Sequence, residues 1–196
     1  AFRYLLKRGV SLRQSTRSDI RFDYDDSRVV FPWYLDRLPV GATGRSLDHE
    51  SRAKTIPYAA MDKGRYLYFP NPPVEGLPLI LVEGEIDALR TAQAMGPEFN
   101  VGALGFGVFT PHQQSLTLKI RPRYIVKMFD HDKTGAMLCR LVERAVGNNI
   151  RTREVDWQAT AESFDIREEG RKYDPADVTD EAIQHLVRNA KGALSL

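Results

Sequence analysis

The 196-residue chain contains a single cysteine, Cys139. No internal disulfide can form, and no zinc site built from several cysteines is encoded here. Cys139 falls within an apolar helical pattern, which predicts a buried structural thiol and not a reactive one. Long apolar runs are missing too. No stretch approaches the roughly 20 residues that a membrane helix needs, and the amino-terminal Ala1-Phe-Arg-Tyr-Leu-Leu-Lys-Arg8 is too short and too charged for a secretory signal. A soluble, intracellular protein with no membrane partner is expected, and the missing initiator Met suggests a piece cut from a longer chain. A Walker A loop is also absent. Gly41-Ala-Thr-Gly-Arg-Ser46 lacks its spacing and its lysine, which excludes an NTP-driven motor within these residues.

What is present is enough for a genuine core, at 42% hydrophobic residues, arranged as one large domain or two small ones. The formal net charge of +2 hides an asymmetry. Basic residues outnumber acidic ones up to residue 65, and the reverse holds beyond it, a pattern that suits a polyanion bound beside an acidic metal site. Phe2, Leu5 and Leu6 predict a short helix ended by Gly9. From Ile20 to Phe69 the signals are mostly β. Arg28 to Tyr34 reads as a strand whose Pro32 argues for an edge or a bulge, and Arg65 to Phe69 reads as another. Residues 71–78 are rich in chain breakers and form the expected linker between a basic α+β subdomain, 1–70, and a second unit, 79–196.

After Pro78 the rhythm becomes βαβαβ, the mark of an α/β sheet with flanking helices. Strands are predicted at Leu79–Val82, Val101–Leu104, Tyr124–Phe129 and Ile150–Val155, with helices near Ile86–Met95 and Pro111–Lys119. A third helix carries Leu138, Leu141, Val142 and Ala145 on one face and ends at Gly147. The chain is expected to close on a helix behind Thr179, with Ile183, Leu186, Val187 and Ala190 inward.

Two of these strands turn acidic where they would leave the carboxyl edge of a parallel sheet, the edge at which open α/β sheets hold ligands. Glu83 and Asp87 follow the first. Asp130 and Asp132 follow the third, and on an extended chain their alternation would aim both carboxylates at one hard cation while turning His131 away. A third acidic cluster, Asp174-Pro-Ala-Asp177, comes later. Oxygen donors favour Mg2+ or Mn2+, and such ions complete their shells with phosphate, so a phosphate-bearing substrate is expected.

At Val82-Glu-Gly-Glu-Ile-Asp87, Phe129-Asp-His-Asp-Lys-Thr-Gly135 and Asp174-Pro-Ala-Asp177 the chain resembles the Toprim domain. Phe31-Pro32, Gly44-Arg45, Lys54, Lys63-Gly-Arg-Tyr-Leu-Tyr68, Ala103-Leu-Gly105 and Thr110-Pro-His112 narrow the likeness to the RNA-polymerase core of DnaG-type primases, including those of phages and primase-helicases. The resemblance implies RNA primer synthesis from NTPs on a single-stranded DNA template. It assigns Glu83, Asp130 and Asp132 to catalysis, and Glu83, Asp87, Asp130, Asp132, Asp174 and Asp177 to the metals. Arg45, Lys54 and Lys63 would bind nucleotide or template. It further implies a replicative helicase and an upstream zinc-binding module as partners, and the cytoplasm of a bacterial or phage-infected cell. His131 between the aspartates, and the wider spacing of Asp174 and Asp177, depart from the bacterial pattern. Two other readings use the same residues: a Toprim nuclease or topoisomerase fragment, and a non-catalytic nucleic-acid-binding module of a replication protein.

Overall fold

The computed structural model describes residues 2–48, 50–59, 61–164 and 173–192. The chain begins with helix α1 (Phe2–Lys7) and turns at Gly9, whose φ of +72° favours glycine and where a Cβ would lie 2.7 Å from Arg90 Nε. Helix α2 (Leu12–Arg17) follows, capped by the Ser11 hydroxyl. Its six residues are mostly polar, so no apolar period announces it.

Strands β1 (Arg21–Asp23), β2 (Arg28–Leu35), β3 (Leu38–Ser46) and β4 (Thr55–Tyr58) form an antiparallel sheet in that order. Pro32 meets the expectation of an edge or bulge. The pairing of β1 covers only Arg28 to Val30, so Pro32 faces β3 alone, and the register shifts between Trp33 and Tyr34. The strand expected at Arg65–Phe69 does not form. A 3-10 turn over Lys63–Arg65, capped by Asp62, takes up its beginning, and only an isolated bridge from Tyr68 to Ala103 remains.

The second sheet has the order β6-β5-β7-β8-β9. Strands β5 (Leu79–Val82), β6 (Asn100–Ala103), β7 (Ile125–Lys127) and β8 (Thr152–Glu154) are parallel, and β9 (Lys191–Gly192) is antiparallel to β8. Helices α3 (Glu85–Met95), α4 (Pro111–Ile120) and α5 (Lys133–Val146) make the crossovers, and α6 (Trp157–Ser163) and α7 (Asp180–Arg188) follow β8. Gly147 ends α5 and Thr179 caps α7, as their residue types predict. The expectation that the chain closes on a helix is corrected, because β9 continues beyond α7 to pair with the sheet edge.

Strand β5 is an interior strand, flanked by β6 and β7, and is buried on both faces. Ile80 and Val82 join a core cluster that also holds Phe31, Trp33, Tyr68, Leu89, Ile183 and Leu186. Leu79 and Leu81, turned the other way by strand alternation, pack with Ile125, Leu138, Val142 and Val146. Cys139 is buried in this second cluster, as expected, and burial pushes its thiol up to about 12. The buried Arg90 ties the elements together. Its guanidinium donates to the Gly9 carbonyl at 2.9 Å and the Val178 carbonyl at 2.7 Å, and it pairs with Asp180. Among the described residues no helix is long and apolar enough to cross a membrane.

Candidate active site at the carboxyl edge of the sheet

The connection from β5 runs to β6 on one side, and the chain then crosses to β7 on the other. Such a reversal opens a crevice at the carboxyl ends of the two central strands. Glu83 leaves β5 at this crevice and Asp130 lies just beyond β7. The Asp130 backbone N–H donates to Glu83 Oε1 at 3.3 Å, so the two strand ends are joined across the reversal.

Asp87 stands in the first turn of α3, where an acid suits the helix N-terminus, and its Oδ2 accepts the Gly84 N–H at 3.1 Å. The residue is partly exposed. Burial raises its proton affinity well above the ordinary aspartate range, and the charges of Asp174 and Asp130 raise it further. Asp174 is raised as well, by burial and then by Asp177, with Arg8 acting in the opposite direction. Four of the expected residues, Asp87, Asp130, Asp174 and Asp177, therefore share one electrostatic neighbourhood, to which Glu83 is hydrogen-bonded.

The geometry around Asp130 and Asp132 corrects one argument from sequence. Strand β7 ends at Lys127, so Asp130, His131 and Asp132 lie beyond it and do not continue it, although Asp132 itself keeps an extended backbone (φ −148°, ψ −176°). They form a tight turn in which the Asp132 N–H donates to the Asp130 carbonyl at 2.8 Å. Asp132 is the N-cap of α5, with Oδ1 accepting the Gly135 N–H at 2.9 Å. His131 is exposed, as expected, for a different reason than alternation. The turn carries it outward, its N–H bonds the Tyr173 carbonyl at 3.0 Å and its ring stacks on Tyr173 with centroids 5.7 Å apart.

Among the described residues, no group of three or more His, Cys, Asp or Glu side chains is arranged to hold a metal ion by itself. The expected ligands are instead committed locally: Asp132 to its cap, Glu83 to the Asp130 N–H, and Asp174 and Asp177 to Arg8 at 3.5 and 3.4 Å. Their chemistry nevertheless fits a hard cation. The donors are carboxylate oxygens that raise one another's proton affinity, and Mg2+ commonly takes only one or two protein carboxylates, with water and phosphate completing its shell.

Of the three expected basic residues, Lys63 comes closest. Its ammonium donates to the Gly105 carbonyl at 3.1 Å and lies 3.6 Å from Glu85 Oε1, at the start of α3 two residues after Glu83. Thr43 of β3 donates to the same Glu85 oxygen at 2.7 Å. Arg45, in β3, is half-buried and Lys54, before β4, is exposed; neither makes an ion pair among the described residues.

Several residues here escaped the sequence reading. Arg8 and Asp177 are 169 positions apart, beyond any local pattern. Glu85 sat inside the acidic motif and could have been found from it. The Trp157 indole donates to the Phe129 carbonyl at 2.7 Å and fixes the chain just before Asp130. Lys127 is 1% exposed at the end of β7, bonded to Glu154 at 2.9 Å, on the wall of a cavity of about 370 Å³ that Asp130 and Asp132 also line.

The architecture is a mixed α/β fold with acidic groups at the reversal of a parallel sheet. No protein-family model matches the chain, and no curated protein matches its sequence. Solved structures do match. The zinc-binding and RNA polymerase domains of the Aquifex aeolicus primase superpose with a TM-score of 0.71 at 19% identity, over 97% of this chain and 56% of that one. The E. coli primase catalytic core gives 0.69 at 18% identity, over 97% and 72%. The primase fragment of the bacteriophage T7 primase-helicase gives 0.64 at 18% identity, over 78% and 64%. The fold is that of a DnaG-type primase catalytic core, and the chain spans just over half the length of the Aquifex chain.

Proposed function

We propose that the chain is the catalytic core of a DNA-dependent primase that joins ribonucleotides on a single-stranded DNA template with Mg2+ or Mn2+. The observation that carries the reading is the convergence of Glu83, Asp87, Asp130 and Asp174 at the β5/β7 reversal, in a fold shared with primase cores. Residues 79–196 act as a Toprim catalytic unit, and residues 1–70 as the basic subdomain that meets template and nucleotide, joined through 71–78.

Glu83, Asp130 and Asp132 are the catalytic residues; with Asp87, Asp174 and Asp177 they make up the metal-ligand set. A divalent ion held by these carboxylates supplies electrostatic stabilisation to charge developing on the phosphate oxygens. In this reading Glu83 also handles the proton of the attacking hydroxyl. Lys63 lies beside the Glu83 loop and suits a triphosphate, whereas Arg45 and Lys54 suit the template backbone, where charge-assisted bonds to phosphate position a strand without reading it. A structure of the T7 lagging-strand DNA polymerase interacting with primase domains of two gp4 subunits, bound to an RNA/DNA hybrid and dTTP, contains a chain of similar fold. A replicative helicase and an upstream zinc-binding module are the partners proposed, in the cytoplasm of a bacterial or phage-infected cell.

The test is incorporation of labelled ribonucleotides on single-stranded DNA with Mg2+ or Mn2+. Template-dependent oligoribonucleotides are expected. Cleavage of the template without synthesis would favour a nuclease, and binding without either reaction would leave a nucleic-acid-binding module.

A further inference from the structure

We propose that Arg8 is a positioning residue, a built-in counter-cation whose guanidinium holds the Asp174–Asp177 loop at the acidic edge and competes electrostatically with divalent cations there. The inference rests on the metal reading given above. Arg8 follows α1 and is bound at its backbone, its N–H donating to the Tyr4 and Leu5 carbonyls at 3.1 and 3.0 Å. The next residue, Gly9, is pinned by Arg90, which also holds Val178 beyond the acidic loop. Arg8 therefore projects from a fixed turn toward a loop fixed by the same arginine.

Its guanidinium touches two carboxylates, Asp174 Oδ2 at 3.5 Å and Asp177 Oδ1 at 3.4 Å. It also lowers the proton affinity of both Asp87 and Asp174, so its charge reaches the interior of the cluster. Arg8 Nε is buried and has no hydrogen-bond partner among the described residues. The guanidinium is thus held by its outer nitrogens on the acids.

Two properties give this contact its consequence. An arginine carries a permanent positive charge, so it contributes a constant positive potential. The pairs are long and partly exposed, at 31% for Arg8 and 22% and 33% for its partners, and such ion pairs contribute little to stability. The principal effect of Arg8 then falls on the charge balance of the edge. With it, one positive charge is already present among Asp87, Asp174 and Asp177; without it, those acids attract a divalent ion more strongly.

The experiment titrates Mn2+ into wild type, Arg8→Gln, Arg8→Met and Arg8→Lys, following free Mn2+ by electron paramagnetic resonance, with thermal unfolding in cation-free buffer alongside. Arg8→Gln and Arg8→Met are expected to bind Mn2+ about threefold to tenfold more tightly, since the lost charge lies within the reach of weakly screened Coulomb forces. Arg8→Lys, which keeps the charge, should stay within about twofold of wild type. All variants should unfold at nearly the wild-type temperature. Equal or weaker Mn2+ binding by the two neutral variants overturns the proposal and leaves the metal reading standing. If neither neutral variant folds, Arg8 is a structural strut and the proposal is likewise overturned. If no protein, wild type included, binds Mn2+, the metal reading fails and takes the proposal with it.

Discussion

Gly135, in the first turn of α5, stands so close to Asp130 that a Cβ on it would overlap the Asp130 carbonyl oxygen. Its N–H at the same time bonds the Asp132 carboxylate at 2.9 Å. A residue without a side chain thus lets the turn that carries both aspartates fold back over the helix N-terminus. Gly135→Ala is expected to force the turn outward, lowering stability by about 1 to 3 kcal/mol. Displacing the aspartates by about an ångström should reduce primer synthesis by roughly a hundredfold. Denaturant melts and ribonucleotide incorporation measure the two effects, and full synthesis by this variant would separate the turn from the chemistry.

Asp132 has two duties that substitution can divide. Asparagine caps a helix about as well as aspartate, whereas alanine loses about 1 kcal/mol. Asp132→Asn should therefore melt close to wild type yet lose most Mn2+ binding and synthesis, while Asp132→Ala should lose the same activity and melt lower. Active Asp132→Asn protein would confine this residue to its cap.

The Asp87 carboxyl carries a pH signature. Burial and the nearby Asp174 and Asp130 raise its folded pKa above the ordinary value of 3.8. The folded state therefore holds its proton over a range where the unfolded state has released it, and stability falls as pH rises from about 4 through the raised value. Asp87→Asn keeps an oxygen for the Gly84 N–H but cannot ionise. In cation-free buffer it should be more stable than wild type at neutral pH, with the advantage fading as pH falls toward 4. Urea melts across pH test this, and an advantage that grows toward acid pH would contradict the assigned direction.

Much of this site was legible before the fold was known, and the reasons are local. The run Leu79–Val82 is apolar at every position because β5 is covered on both faces, and Glu83 follows where that cover ends. Gly147 and Thr179 marked helix ends through their own backbone and side-chain chemistry. The turn at Asp130 was misread as extended because apolar Met128 and Phe129 continue the pattern of β7 after its pairing has stopped at Lys127. Likewise Leu67 and Tyr68 are buried through tertiary packing, not as members of a sheet, so their apolar character mimicked a strand. Arg8, Trp157 and Tyr173 act through partners brought near only by the complete chain, and no spacing rule reaches them.

The basic residues should separate by their surroundings. Lys63 is 18% exposed and Glu85 12%, so Lys63→Ala leaves a carboxylate and a carbonyl poorly satisfied. A stability loss on the order of 2 kcal/mol is expected there, together with weaker nucleotide binding. Arg45→Ala and Lys54→Ala should leave stability nearly unchanged while weakening template binding and flattening its salt dependence. Melting curves and binding isotherms at two or more salt concentrations check the contrast, and an unchanged salt slope would return Arg45 and Lys54 to the solvated surface.

Phe31 and Trp33 of the antiparallel sheet and Ile80 and Val82 of the parallel one belong to a single hydrophobic cluster, with Tyr68 between them in sequence and in contact with both aromatic rings. Neither sheet can lose its partner without exposing the inner face of its own strands. Cutting the chain within residues 71–78 would thus yield two sticky fragments and not two proteins, and heating the intact chain should produce one calorimetric transition. The part proposed to grip template and nucleotide and the part proposed to join them would then be inherited, folded and lost together.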